Sequence, residues 1–520
     1  MRDGSAAISR RGLLRLGAAG AFGLLGASAL SGCATAGERP DYILASDPEI
    51  GETEATRPHT GRTVHHVLRA QSATIAVTPG QYVGTWGYSE DVALAALGPT
   101  LRARRGDRLL VDVDNTLTEE TSVHWHGLRI RNDMDGAPPD TQKPIPSGGQ
   151  FRYNFVLPDH GTHWYHSHTG VQADRAMFGA LIVEDPDDTS GADTDLVLVI
   201  DDWVDGFGAT PEEVLAALDP VGTGGHAHGG IAAAPPEVTA AALALVTQGV
   251  GNSAVLGGPT QHINYPLHLI NGRSPEDPQR HTVPAGSRVR LRVINAAAET
   301  PYRVALAGHR VTVIATDGFD AEPFETDSVL IAPAQRIDLL VDLTSGSWPF
   351  VARVEGRDGA ALAVIATHDA AGASLSGAQA TQIPELDGQL ATDADLHPHG
   401  STRLSEREPD QLWRLELLES PEGFMWGVAG EDAANMRPRI GERIRIEVAN
   451  PTSMWHPVHL HGHTFASRTH NGLRRDTVAV LPGETAVLDF DADNPGRWMI
   501  HCHNAYHFAA GMSAPIRYVR

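Results

Sequence analysis

The fold is decided by one stretch of sequence, Gly106-Asp-Arg-Leu-Leu-Val-Asp-Val-Asp-Asn115, because the chain contains it in three versions. The second version is Gly286-Ser-Arg-Val-Arg-Leu-Arg-Val-Ile-Asn295, and the third is Gly441-Glu-Arg-Ile-Arg-Ile-Glu-Val-Ala-Asn450. Each has an arginine two residues after the glycine, then alternating β-forming residues, and an asparagine at its end. Alternation with a period of two predicts a β-strand that buries one face.

The spacing of the three versions predicts three similar domains within the 520 residues, since repeated patterns at this distance mark repeated structural units. With 54 glycines and 34 prolines the chain is rich in turns, which favours an all-β protein of Greek-key β-sandwich domains. We expect the domains at residues 60–186, 190–370 and 384–520.

One segment of the second domain, residues 207–262, departs from the strand pattern. It contains two helical stretches, Pro211–Leu218 and 237–246, joined by a glycine-rich loop. We predict a short helical insertion here. The loop histidines His226 and His228 could bind a metal, but a surface linker is the favoured interpretation.

The composition excludes several classes of partner and scaffold. With 40 basic and 64 acidic residues the formal net charge is −24, which excludes nucleic acid as the main partner. The chain has only two cysteines, Cys33 and Cys502, so it cannot hold a disulfide framework. We expect a monomer.

The first 33 residues are typical of an export signal. Ser9-Arg-Arg-Gly-Leu-Leu-Arg15 contains a twin-arginine pair, and the apolar run at residues 16–30 is too short for a comfortable membrane span. Leu30-Ser-Gly-Cys33 then matches the pattern at which bacteria cleave and lipidate a protein. We therefore expect twin-arginine export and a lipid anchor at Cys33 in the cell envelope; the alternative is a plain signal peptide.

Four His-x-His pairs keep the register of the repeat. One pair begins nine residues and another 51 residues after Asn115, and the other two pairs begin at the same distances after Asn450. One offset of 335 residues thus relates the first domain to the third. The pairs are His124-Trp-His126 and His166-Ser-His168 in the first domain, with His459-Leu-His461 and His501-Cys-His503 in the third.

Residues i and i+2 of a strand point to the same face, so each pair presents two imidazoles side by side. Two such domains face to face would bring eight imidazoles together. Neutral imidazole suits copper, iron, nickel or zinc, and eight exceed what one ion can use, so we predict a polynuclear cluster between the first and third domains. The second domain has Val304, Leu306, Val351 and Arg353 at the matching positions, and we interpret it as a structural spacer.

The third domain has further metal-binding residues that the first lacks. Cys502 replaces Ser167, while His456, His507 and Met512 stand near it in sequence. Two histidines, a cysteine and a weak axial methionine are typical of a blue copper site. The alternatives are an inert buried thiol for Cys502, core packing for Met512 and a surface role for His507.

Together these motifs resemble the four copper-binding motifs of the multicopper oxidases, the family that includes laccases, ferroxidases and bilirubin oxidases. The resemblance covers about residues 60–520, and its motifs are complete and correctly ordered. Segments such as Asp201-Asp-Trp203 and Leu306-Ala-Gly-His309 are similar to the exported copper-tolerance members of the family in bacteria.

The resemblance implies three cupredoxin-like domains and four copper ions per chain, which couple four one-electron oxidations to the reduction of O2 to water. It implies a type 1 copper that takes electrons from the substrate, through Cys502 as the catalytic link, and a cluster of one type 2 and two type 3 coppers. The implied ligands are His456, Cys502, His507 and Met512 for type 1, His124 and His459 for type 2, and His126, His166, His168, His461, His501 and His503 for type 3.

Proton supply requires an acid near the cluster. Asp135 lies nine residues after His126, where the family carries its proton-donating acid, and the alternative is a turn residue before Gly136. A second acid that some relatives carry just after the type 1 histidine is absent, because that position is Phe508.

Several features of the sequence bear on the identity of the electron donor. We expect a small-molecule or metal-ion donor besides O2, and we favour Cu(I) with a copper-tolerance role. Met454 matches a cuprous-site position, with simple core packing as the alternative, but the acid expected four residues before His456 is Thr452. Phenols and aromatic amines, as for a broad laccase, or Fe(II), as for a ferroxidase, are the second choice. A non-catalytic copper-binding protein of the envelope is the third.

Overall fold

The computed structural model describes residues 41–90, 97–219, 238–247, 251–370, 375–421 and 423–520. The predicted export signal with Cys33 lies outside these residues, and so does the loop with His226 and His228. Within the described part of the chain, no helix is both long enough and apolar enough to cross a membrane.

The first third of the chain forms two four-stranded sheets around one core. After helix α1 (Pro48–Ala55) come β1 (Thr63–Thr78), β2 (Gln81–Ser89), β3 (Leu101–Arg104), β4 (Arg108–Asn115), β5 (His124–His126), β6 (Gln150–Val156), β7 (Gly161–His166) and β8 (Phe178–Glu184). The sheet orders are β2-β1-β4-β6 and β3-β8-β7-β5. Val111 of one sheet and Leu181 of the other pack in the same hydrophobic cluster, so this region is a β-sandwich.

The middle third is a larger sandwich. Its elements are β9 (Thr194–Trp203), α2 (Pro211–Leu218), α3 (Ala240–Thr247), β10 (Asn252–Ser253), β11 (Gly258–Pro259), β12 (Leu267–Ile270), β13 (Gln279–Val283), β14 (Arg288–Asn295), β15 (Tyr302–Leu306), β16 (Val311–Thr316), β17 (Phe319–Thr326), β18 (Ser328–Ile331), β19 (Arg336–Asp342), β20 (Ser347–Val354), β21 (Ala360–Thr367) and β22 (Leu390–Ala391). Two six-stranded sheets, β12-β9-β14-β19-β16-β17 and β13-β21-β20-β15-β18-β22, share one core, and β10 pairs with β11. β22 pairs with β18 in the middle sandwich, although residue 390 follows the expected start of the third domain at residue 384.

The last third is the third sandwich, and it carries a short helix near its end. Its elements are β23 (Gln411–Glu419), β24 (Trp426–Ala429), β25 (Arg443–Ala449), β26 (His456–Leu460), β27 (Phe465–Ser467), β28 (Leu473–Arg475), β29 (Thr477–Val480), β30 (Thr485–Asp491), β31 (Arg497–Cys502), α4 (Ala505–Ala509) and β32 (Ser513–Arg517). The sheet orders are β24-β23-β25-β30-β27-β28 and β29-β26-β31-β32. The predicted all-β architecture is confirmed.

The repeated stretch forms the same central strand in all three sandwiches. β4, β14 and β25 each pair in parallel with an earlier strand and antiparallel with a later one. The terminal asparagine of each copy turns the chain, because its Oδ1 accepts from the backbone N–H two residues on, at 3.0 Å. The amides also donate across the turn, from Asn115, Asn295 and Asn450 to the carbonyl oxygens of Ile145, Ile331 and Val480.

The second copy differs from the prediction of one buried face. β14 is buried on both faces, including Arg290 and Arg292. Both guanidinium groups contact the buried carboxylate of Asp338, and Arg292 Nη1 also donates to Thr162 Oγ1 of the first domain at 3.1 Å. The polar face of this strand is therefore buried at a domain interface, where paired charges replace solvent.

The predicted helical insertion is present. Helix α2 covers the predicted residues, with Pro211 in its first turn and a capping box between Thr210 and Glu213. Helix α3 begins three residues later than predicted, at Ala240. The insertion packs on the third domain, since Val214, Ala242 and Tyr506 belong to one hydrophobic cluster. Tyr506 precedes the predicted copper ligand His507, so the insertion lies close to that site.

Candidate metal centre

Strand pairing brings the four His-x-His motifs together in twos. In the first domain, β5 pairs with β7 so that His124 lies opposite His166. In the third domain, β26 pairs with β31 so that His459 lies opposite His501. Directly opposed residues of neighbouring strands have adjacent side chains. Each sandwich therefore presents its four imidazoles as one group.

The two groups meet across the interface of the first and third domains. The rings of His126 and His459 stack with centroids 3.8 Å apart, and those of His124 and His461 lie 4.1 Å apart. The structure brings all eight predicted histidines into three sets whose ligating atoms lie within 4.8 Å of one another. These sets are His124 with His126 and His459, His126 with His166 and His503, and His168 with His461 and His501.

Four of these imidazoles are held in one tautomer by backbone carbonyls. Their Nδ1 atoms donate at 2.8–2.9 Å, which leaves the lone pair of Nε2 available to a metal. The donors are His124, His166, His459 and His501, and the acceptors are the carbonyl oxygens of Asp135, Ser167, Asp476 and Cys502.

Burial favours the neutral form of several cluster imidazoles. Burial lowers the pKa of His166, His168 and His501 well below its usual range, and the neighbouring imidazoles lower it further. Neutral imidazole is the form that binds transition metals. These three side chains therefore need no deprotonation before they bind a metal ion.

Two buried aspartates orient the ligands. Asp135 Oδ2 accepts from His461 Nδ1 at 2.9 Å, and its backbone carbonyl accepts from His124. Asp476 Oδ1 accepts from His126 Nε2 at 3.0 Å, which leaves Nδ1 of that ring for a metal. Arg336 of the second domain pairs with the same Asp476 carboxylate at 2.5 and 2.8 Å.

A second group lies around Cys502, which is fully buried and is the free cysteine of the described chain. Its Sγ atom is 3.8 Å from Nδ1 of His456 and 3.7 Å from Nδ1 of His507. Met512, also fully buried, is tied to this group because its carbonyl accepts from the Cys502 N–H at 3.0 Å. The four predicted residues are therefore brought together.

Comparison with known proteins agrees with this geometry. Three models of the multicopper oxidase family match the chain, at residues 71–188, 251–370 and 409–519. Multicopper oxidase MmcO of Mycobacterium tuberculosis is 37% identical to this chain, over 98% of it and 97% of that protein. This chain belongs to the multicopper oxidase family. It is accordingly an oxidoreductase with copper as its cofactor.

Further matches to this multicopper oxidase support the same family. A copper resistance protein A homolog of Pseudomonas syringae pv. tomato is 27% identical, over 81% of this chain and 87% of that protein. The crystal structure of the laccase from Botrytis aclada matches with a TM-score of 0.69 at 23% identity, over 90% of this chain and 89% of that one. The latter likeness confirms the cupredoxin-like fold.

The residues of the multicopper oxidase fit copper. Nε2 of His124, His166 and His459 is buried without a hydrogen-bond partner among the described residues, which is costly unless a ligand occupies it. Nε2 of His461 and of His501 face each other at 2.9 Å while their Nδ1 atoms donate elsewhere. Two opposed lone pairs repel, and a cation between them removes the repulsion.

The Cys502 group fits copper by its chemistry. A thiol flanked by two imidazoles is a donor set that suits copper, and Met512 packs in the same hydrophobic core as Cys502. Burial raises the pKa of the Cys502 thiol, so a bound metal would have to displace its proton. His456 Nε2 lies 2.8 Å from Thr452 Oγ1, and a bond donated there leaves the inward Nδ1 free.

Three contacts to the candidate ligands were not predicted from the sequence. Asp476, Arg336 and His262 lie against the ligands, yet no local spacing singles them out. The second domain is thus more than the predicted spacer, because it supplies Arg336 and His262. Met454 lies in the hydrophobic core of the third domain, which favours packing over a donor site. At three of the four positions that match the histidine motifs, the second domain has the buried apolar residues Val304, Leu306 and Val351.

Proposed function

We propose that this multicopper oxidase binds four copper ions and couples their oxidation of a donor to the reduction of O2 to water. The type 1 ligands are His456, Cys502, His507 and Met512; the type 2 ligands are His124 and His459; the type 3 ligands are His126, His166, His168, His461, His501 and His503. The three histidine sets and the Cys502 group support this division. Copper in these sites would supply one-electron transfer at Cys502 and four-electron reduction of O2 at the cluster.

The observation that carries the proposal is the placement of Cys502 between His501 and His503. His501 and Cys502 end strand β31, so their side chains point to opposite faces. Cys502 faces the group with His507, while its neighbours face the histidine cluster. One residue of backbone therefore joins the two centres, which gives an electron a short covalent path.

Asp135 is proposed to supply protons during oxygen reduction. Its carboxylate contacts two cluster histidines, at 2.9 Å from His461 Nδ1 and 3.4 Å from His124 Nδ1. An acid at this position can donate a proton beside the cluster while it also fixes two rings. The turn role and the catalytic role are compatible, because the backbone of Asp135 makes the turn and its side chain faces the ligands.

For the donor, we propose Cu(I), in a copper-tolerance role, with phenols and aromatic amines as alternative substrates. Relatives named copper resistance protein A support Cu(I), and relatives named laccase support the second choice. The formal net charge of −24 favours cationic donors by electrostatic steering. Fe(II) oxidation is a further candidate. A copper-binding protein without catalytic turnover is less favoured, because it would not need the covalent connection between the two centres through Cys502.

The location proposed from the sequence is the cell envelope. The twin-arginine pair and the Leu30-Ser-Gly-Cys33 pattern support export and a lipid anchor at Cys33. We further propose that the protein acts as a monomer, with a small donor and O2 as its partners and no nucleic acid.

Oxygen uptake by the copper-loaded protein tests the choice of donor. Cu(I) and a phenol are supplied in separate assays, each corrected for uptake without protein. Faster uptake on Cu(I) would support copper tolerance, whereas faster uptake on the phenol would favour the laccase alternative. A protein that binds copper but consumes no oxygen with either donor would contradict the oxidase function.

A further inference from the structure

A histidine of the second domain contacts the outer edge of the Cys502 group. His262 Nε2 lies 2.9 Å from Nε2 of His507, whose other nitrogen faces Cys502 Sγ at 3.7 Å. Because Nδ1 of His507 faces the copper position, a neutral His507 carries its proton on Nε2. His507 therefore donates to His262, and His262 keeps its own proton on Nδ1.

His262 is one of the half-buried residues that lie between this group and the surface. Cys502, His456, His507 and Met512 are all fully buried, so a molecule in solution cannot contact them. His262 as a whole residue is half-buried, so part of it remains open to solvent. A donor that reaches its exposed edge is one hydrogen bond away from a copper ligand.

Aromatic rings enclose the contact between His262 and His507. Trp426 stacks on His507 with centroids 3.9 Å apart, and Phe424 meets the ring of His262 edge-on at 5.3 Å. These rings exclude water from the hydrogen bond, which strengthens it. Trp426 is only 7% exposed, so it offers little surface of its own.

The backbone around His262 is held rigidly. The N–H groups of His262 and Ile263 both donate to the Glu299 carboxylate, at 2.8 and 3.0 Å. Asn504 of the third domain donates to the same carboxylate at 3.1 Å, and Arg357 donates to the Ile263 carbonyl. Asn504 follows the ligand His503, so Glu299 fixes His262 relative to the metal-binding segment.

We propose that His262 is the residue through which electrons reach type 1 copper, an inference that rests on the proposed function. A donor at the exposed part of His262 would lose one electron, and the His262–His507 hydrogen bond would carry it to a Cu(II) ion held by His507, which would become Cu(I). No bond to a heavy atom forms or breaks. By accepting from His507, His262 also increases electron donation by that ligand, which favours Cu(II).

Three variants test the proposal in the copper-loaded protein. His262→Leu removes the acceptor but keeps an apolar side chain of similar size, and His262→Gln retains an acceptor. His309→Leu is the matched control, since His309 is another half-buried histidine of the second domain, packed on Trp348. The readouts are copper content, the type 1 spectrum and reduction potential, and the rate of type 1 reduction by a donor without oxygen.

We expect His262→Leu to keep its copper while type 1 reduction becomes about 10- to 100-fold slower, as is typical when a group next to a metal ligand is lost. Its potential should rise and its spectrum shift, while re-oxidation of the chemically reduced enzyme by O2 should be unchanged. His262→Gln should recover most of the rate, and His309→Leu should match the wild type.

Equal reduction rates and potentials in the wild type and His262→Leu would overturn the proposed role of His262. Loss of copper from that variant would show that His262 has a purely structural role. Either of these outcomes can be distinguished from a failure of the proposed function. A copper-loaded wild type without a thiolate-to-copper absorption band would overturn both together.

Discussion

His126 of the first domain stacks on His459 of the third, and both rings are anchored to Asp476. The ring centroids lie 3.8 Å apart; Asp476 accepts from His126 through its carboxylate and from His459 through its backbone carbonyl. Arg336 of the second domain contacts the same carboxylate. All three domains therefore meet at one aspartate, and the metal centre requires the assembled chain.

Replacing Asp476 should weaken copper binding. Burial alone would raise the pKa of Asp476, but the charge of Arg336 and the hydrogen bond from His126 hold it well below its usual range, so the group is a carboxylate. Asp476→Asn removes this charge and should lower copper affinity about 10- to 100-fold. Copper retained after dialysis against a chelator measures the effect. Asp387→Asn, which loses an exposed ion pair with Arg353, is the control, and equal retention in both variants would contradict the role.

Replacing Cys502 should separate the two centres. Cys502→Ser removes the thiolate, so the visible thiolate-to-copper band should disappear and steady-state oxidation should stop. The eight cluster histidines are unchanged, so copper content should fall by about one ion per chain. Absorbance and metal analysis of the same sample check this. A variant that keeps the visible band would show that Cys502 is the inert thiol of the alternative interpretation.

The Asp135→Asn variant distinguishes a role of Asp135 as a proton donor from a role in the turn alone. Asparagine keeps the turn and the backbone acceptor for His124, but it cannot donate a proton as a carboxylic acid does. We expect turnover with O2 to fall about 10²- to 10⁴-fold, the usual contribution of a general acid. Reduction of type 1 copper without oxygen should remain at the wild-type rate. If turnover with O2 were also unchanged, Asp135 would be a turn residue only.

Acid should destabilise the copper-free protein partly through buried His268. Burial lowers the pKa of this histidine from 6.5 to about 3, and nearby Arg357 adds to the shift. Below pH 6.5 the unfolded chain binds a proton that the folded chain does not, so the stability present above pH 6.5 is lost as the pH falls towards 3.

His268→Gln should remove this part of the acid response. The loss amounts to about 1.4 kcal/mol per pH unit, so the stability difference between the wild type and His268→Gln should shrink by roughly that amount between pH 6 and 5. Because buried acids such as Glu299 contribute equally to the pH dependence of both proteins, their contribution cancels in the difference. Burial raises the pKa of Glu299 to about 8. Denaturant unfolding at both pH values measures it. A difference independent of pH would contradict the prediction.

The sequence predicted the strands well because they follow local rules. Alternation with a period of two predicted β4, β14 and β25, and the same period placed both histidines of each His-x-His motif on one face. The contacts that it missed join distant positions. Arg336 and Asp476 are 140 residues apart, and His262 and His507 are 245 apart. Such pairs arise only when the domains pack, so no motif within one segment reveals them.

The most direct test of the central claim is the stoichiometry of donor oxidised to oxygen consumed by the copper-loaded protein, measured with a peroxide assay. Two coupled centres should consume one O2 for about four electrons and release no hydrogen peroxide, because in the proposed mechanism the cluster would receive all four electrons through the Cys502 path. A ratio near two electrons with peroxide in solution, or no oxygen uptake at all, would contradict the coupling of the two centres.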